Sequence, residues 1–149
     1  MTSNKTSKRK TRSGFTMVEL MAMLIIIGLL ATLVVTKVAS KIEQARVTTT
    51  KANLKSLSAA VNQFKMDTGR FPSEELGLME LIEQPSDVEI WEPGGYLDTT
   101  ELPKDGWRND FIYELYPPSG KPFVIKSLGA DGQEGGEGYD ADLLSTDVY

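Results

Sequence analysis

From Leu20 to Val35 the chain reads LMAMLIIIGLLATLVV, sixteen residues without a charge. Extended back to Phe15, the run holds 21 residues and Glu19 is its only ionisable side chain. A bilayer is crossed by roughly 20 mostly apolar residues, so the segment is long enough to span one. Leu, Met and Ala favour helix, and lipid obliges a backbone to satisfy its own hydrogen bonds. Ahead of the run stand Lys5, Lys8, Arg9, Lys10 and Arg12, with no acid among residues 1–14. That bias orients the segment with its N-terminus cytoplasmic and everything after Lys37 exported.

A basic stretch followed by an apolar run is also the pattern of an ordinary secretory signal peptide, and Val38-Ala39-Ser40 would serve as its cleavage site. Two features argue against it. The run exceeds the usual apolar region of about 7–15 residues. It also contains Glu19, and a carboxylate at mid-bilayer costs roughly 2.5–3.5 kcal/mol on insertion scales, less near the interface. Such a group has either a function or a route to the headgroups. It wants a buried positive partner, and its own apolar run offers none.

The rest of the composition excludes more than it assigns. A chain of 149 residues suits one modest domain beyond its apolar segment. Without cysteine or histidine there is no disulfide, thiolate ligand, cysteine nucleophile or imidazole base. No phosphate-binding loop or nucleophile–base pair is present, so the chain reads as no enzyme. The net charge of −5 hides an asymmetry: after the leader, 11 basic residues face all 21 acids. A body that acidic is no partner for nucleic acid.

Residues 42–66 contain no Gly or Pro, and Val47, Leu54, Leu57, Val61 and Phe64 form one helical stripe, which predicts an amphipathic continuation of the same helix. Gly69 and Pro72 predict its end near residues 67–69. Phe15 to Met66 would extend roughly 78 Å at 1.5 Å per residue. Ser73, with acids after it, predicts the N-cap of a short helix running to Ile82. Residues 84–106 are rich in breakers. Residues 111–116 and 123–127 are aromatic and β-branched around Pro117-Pro118-Ser119-Gly120, a predicted antiparallel hairpin.

Residues 131–142 crowd five carboxylates among glycines. An ordered loop of that charge needs a cation, and oxygen ligands suit Ca²⁺ better than Mg²⁺. Asp131, Gly136 and Asp142 fall at positions one, six and twelve of an EF-hand loop. The acidic third and fifth positions and the terminal glutamate are missing, so that motif is rejected. A solvated, disordered acidic tail is the alternative.

Ser13-Gly14-Phe15-Thr16-Met17-Val18-Glu19-Leu20 resembles the leader junction of type IV pilins and type II secretion pseudopilins. The resemblance implies cleavage after Gly14 by a prepilin peptidase, N-methylation of Phe15, and Glu19 as the family's assembly glutamate. LGADGQEGGEGYDADL, with GRFPSEELGL, GGYL and LPKDGW, is similar to the head of the major pseudopilins (G subunits) of type II secretion systems. That likeness implies an α+β, pilin-like fold: a long N-terminal helix, transmembrane in its first half and amphipathic in its second, on a small antiparallel sheet with a C-terminal calcium loop. It divides the chain into a cleaved leader (1–14), a transmembrane and assembly helix (15–36), the amphipathic half (37–68) and a periplasmic head (69–149) with the loop at 128–142. It implies Ca²⁺ held by Asp131, Asp140 and Asp142 and by the carbonyls of Leu128 and Ala141, with Glu134 and Glu137 solvated.

The function implied is a structural subunit, anchored by a single pass in the bacterial inner membrane and polymerising into a periplasmic filament that helps export folded proteins. Its partners would be copies of itself, minor pseudopilins, inner-membrane assembly proteins and the prepilin peptidase. A type IV pilin for adhesion or motility and a non-polymerising, membrane-anchored calcium module are the alternatives. Absence of cysteine speaks against the pilin, since many pilins close this region with a disulfide. Two departures stand out. Thr36 replaces the usual proline, which leaves the helix kink open. Gly106 replaces the proline of the commoner LPKDPW, which is expected to loosen one turn.

Overall fold

A computed structural model describes residues 14–148, leaving aside the side chains of residues 33–37. Residues 1–13 of the leader and the side chain of Thr36 lie outside the described residues. The chain divides into two units, Met1–Ser40 and Lys41–Tyr149.

Helix α1 comprises Met17–Thr68. Its entry is a capping box: Glu19 N donates to Thr16 Oγ1 at 3.2 Å, and Thr16 N donates to Glu19 Oε2 at 3.5 Å. Its exit is Gly69, at φ +81°, whose N–H donates to Lys65 O at 2.9 Å. In the first unit every large apolar side chain from Phe15 to Leu30 is exposed, around the full circumference of the helix.

In the second unit the predicted stripe is the core. Leu54, Leu57, Val61 and Phe64 are fully buried, with Val47 partly so, and they pack with Phe71, Leu78, Leu81, Val88 and Ile125. Burying one such side chain contributes about 1.5–3 kcal/mol. The hairpin forms as β1 (Ile112–Leu115) and β2 (Phe123–Ser127), antiparallel, with Tyr113 opposite Ile125. A third strand, β3 (Leu143–Leu144), pairs antiparallel with β2 and gives the order β1-β2-β3. Two residues are too few for a periodic signal, so β3 was not legible in the sequence.

The short helix after Ser73 takes another form. It is a 3₁₀ turn, Gly77–Leu81, and Ser73 precedes it rather than capping it directly. The reason is Glu80, only 1% exposed. Its Oε1 accepts from Ser73 N at 3.1 Å and from Ser73 Oγ at 2.5 Å, and its Oε2 accepts from Arg70 at 2.7 Å. Burial opposes the Arg70 charge, but hydrogen bonds and charges from Glu80 and Asp87 more than offset it and raise its pKa.

Candidate functional site

Two regions carry the residues singled out by the sequence. In the first unit, Gly14 stands in the open and Phe15 is 67% exposed. Glu19 has an intrachain role that the sequence analysis missed: it closes the capping box with Thr16. The T-x-x-E spacing was the signal for it. Among the described residues, which leave aside the side chains of residues 33–37 in the predicted span, no helix is long and apolar enough to cross a membrane.

In the second unit, the glycine-acid loop leaves β2 and returns as β3, so both ends are held by one sheet. Glycine makes the crossing of its limbs feasible. Gly129, at φ +65°, lies so close to the other limb that a Cβ there would stand 2.6 Å from Asp140 O and 2.9 Å from Ala141 O. Gly136, at φ +81°, presses on the same Asp140 carbonyl. Ala130 N donates to Tyr139 O at 2.9 Å, and Asp142 N to Gly135 O at 3.2 Å. The structure thus brings the Leu128–Gly129 limb beside Asp140–Ala141, two of the expected carbonyl sources.

The carboxylates are arranged less simply. Asp131 Oδ1 accepts from Gln133 N at 3.0 Å, and Asp142 Oδ2 accepts from Gly135 N at 3.1 Å. Among the described residues no group of three carboxylates that could hold a metal ion is gathered, so Asp131, Asp140 and Asp142 do not form a ready-made triad. Asp142 Oδ1, however, is buried with no hydrogen-bond partner. A buried carboxylate oxygen in that position lacks the partner that such atoms ordinarily have. The residues present therefore fit a cation, with Asp142 the side chain most in need of one.

Glu134 is exposed as expected, yet it is tied down: Lys126 Nζ lies 2.8 Å from Glu134 Oε1 and 2.7 Å from Glu114 Oε1. Hydrogen bonding to Lys126 lowers the Glu134 pKa, and hydrogen bonds to both carboxylates hold the Lys126 pKa above its usual range. The lysine joins the loop to the hairpin.

The turn at Gly106 is tight, not loosened. Its N–H donates to Thr50 Oγ1 at 2.9 Å, a bond proline cannot make, and a Cβ there would collide with the Arg46 backbone.

A long N-terminal helix whose C-terminal stretch packs with a three-stranded antiparallel sheet, preceded by an exposed apolar stretch entered through Gly-Phe-Thr-x-x-Glu, defines a pilin-like subunit. Residues 37–146 match the family model described as type II secretion system (T2SS), protein G. The type II secretion system core protein G of Pseudomonas aeruginosa is 41% identical over 143 residues, covering 94% of this chain and 99% of the relative. The protein of that description from Vibrio cholerae is 36% identical, covering 91% and 92%. The crystal structure of the major pseudopilin from the type 2 secretion system of enterohaemorrhagic Escherichia coli shares the fold. Its TM-score is 0.59 at 23% identity, over 71% of this chain and 90% of that one. The chain belongs to the type II secretion system protein G family.

Proposed function

We propose that the chain is made as a precursor, cleaved after Gly14, N-methylated at Phe15 and anchored by residues 15–36 in the bacterial inner membrane. Copies then polymerise through that segment into a periplasmic filament that aids export of folded proteins across the outer membrane. The observation that carries this reading is the apolar helix exposed around its whole circumference, entered by a single carboxylate. An apolar surface of that extent in a folded protein needs lipid or other copies to cover it. Minor pseudopilins, assembly proteins and the prepilin peptidase follow as partners from the family.

Glu19 sets register by pairing with the Phe15 amine of a neighbour, in addition to capping its own helix. Two substitutions separate these roles. Glu19→Gln keeps an oxygen for Thr16 N but loses the charge, whereas Glu19→Ala loses both. We expect both variants to be inserted and cleaved, by intact mass, and neither to form filaments. Normal filaments from Glu19→Gln would defeat the charge pairing and leave only the cap.

The loop at 128–142 holds Ca²⁺ through Asp142, with Asp131 and Asp140 and the carbonyls of Leu128 and Ala141. The buried, partnerless Asp142 Oδ1 and the crossing of the limbs at Gly129 support this. Bound calcium supplies positive charge against the five carboxylates. The chain's own part is to keep the limbs crossed and Glu134 tied to Lys126.

A further inference from the structure

One peptide plane of the glycine-acid loop is fixed by a side chain from outside the loop. Asn109 Nδ2 donates to Gly129 O at 3.1 Å. The Gly129 carbonyl and the Ala130 N–H belong to one planar unit, and that N–H donates to Tyr139 O. Asn109 therefore holds one end of the plane while the opposite limb holds the other. Glycine on the N-terminal side leaves the plane free to rotate unless both bonds are made.

Asn109 is itself set rigidly. Asp105, 5% exposed, accepts on Oδ1 from Trp107 N and Asn109 N, at 2.9 and 2.8 Å. Its Oδ2 accepts from Ser127 Oγ at 2.7 Å. The segment 104–110 is thus a strap closed on a buried carboxylate. Its other side is fastened to α1: Trp107 Nε1 donates to Glu43 at 2.9 Å, Gly106 N to Thr50 Oγ1, and Asn53 Nδ2 to Lys104 O at 2.8 Å.

We infer that Asn109 is the positioning residue of the glycine-acid loop, and that the strap it belongs to ties the order of that loop to residues 43–53 of α1. The inference rests on the calcium reading proposed above. The Leu128 carbonyl lies one peptide before the plane that Asn109 fixes, so loss of that amide leaves the carbonyl limb unaligned with Asp142. A loop that must be ordered by the ion alone binds it more weakly.

The test is hydrogen exchange by mass spectrometry on the full chain in detergent micelles, titrated with calcium chloride against EDTA. In the unsubstituted chain, calcium slows exchange in 128–142 and in 104–110 over one concentration range. In Asn109→Ala the midpoint for 128–142 moves to about two- to tenfold higher calcium, the worth of one hydrogen bond, and 104–110 no longer follows. Asn109→Ser, gentler on folding, decides the matter if the alanine variant unfolds. A variant that loses heat stability in EDTA but keeps the calcium midpoint makes Asn109 merely structural and overturns the inference. Protection of 128–142 without a response in the strap does the same while leaving the calcium reading intact. No calcium-dependent protection of 128–142 in the unsubstituted chain overturns that reading itself.

Discussion

Gly129 and Gly138 both have positive φ, +65° and +66°, but their surroundings differ. A Cβ at Gly138 meets nothing within 4 Å, whereas one at Gly129 meets backbone at 2.6, 2.7 and 2.9 Å. Gly138→Ala therefore carries only the left-handed penalty, about 1–2 kcal/mol. Gly129→Ala carries that penalty and a collision as well. The atoms in the way are the Asp140 and Ala141 carbonyl groups, which can yield only if the limbs separate, so the overpacking adds about 1–3 kcal/mol. The difference between the two variants isolates the crossing from the backbone strain. Near 1 kcal/mol per 4–8 °C for a domain of this size, Gly129→Ala should melt roughly 4–24 °C below Gly138→Ala. Thermal unfolding of the unit Lys41–Tyr149, followed by circular dichroism in EDTA, measures it. If the two variants melt together, the limbs are not in contact and the account of the loop fails.

Chelation should lower the melting temperature of the same unit, since a ligand at 100 times its Kd stabilises by about 2.7 kcal/mol; superimposable curves with calcium and EDTA would sink the calcium reading. Glu80→Ala should destabilise by about 1–3 kcal/mol, because it leaves two Ser73 donors without their acceptor at a buried position while Arg70 keeps Asp87, and a loss under about 1 kcal/mol would refute that role. The Glu134–Lys126 tie gives a pH signature with a fixed sign. The depressed Glu134 pKa makes its contribution full above the ordinary value of 4.5 and lost as pH falls through the lower folded value. The raised Lys126 pKa makes its contribution full below 10.5 and lost as pH rises through the higher folded value. Glu134→Gln should abolish the acid-side loss contributed by this pair, as read from denaturant midpoints between pH 3 and 7; an unchanged acid limb would show the contact contributes nothing.

Local order was legible because local chemistry sets it. The apolar run, the stripe from Leu54 to Phe64, the stop at Gly69 and the hairpin around Pro117-Pro118 each depend on residues within a few positions of one another, and each appears where the pattern placed it. The family signature at Ser13–Leu20 was legible for the same reason. Glu19 was read for its charge while its cap on Thr16 went unnoticed, although both reside in one tetrapeptide.

What only the tertiary structure decided are the contacts between residues far apart in the chain. No local pattern says that Glu80 turns inward to Arg70, that Lys126 reaches Glu134, or that Gly106 lies on Arg46 and so must lack a side chain. The carboxylates of the loop were visible as composition. Which of them is left buried without a partner depended on how the two limbs cross, and that is settled by steric fit at Gly129 and Gly136. Sequence fixes which groups exist and how the backbone bends locally; distance in three dimensions decides which of them meet.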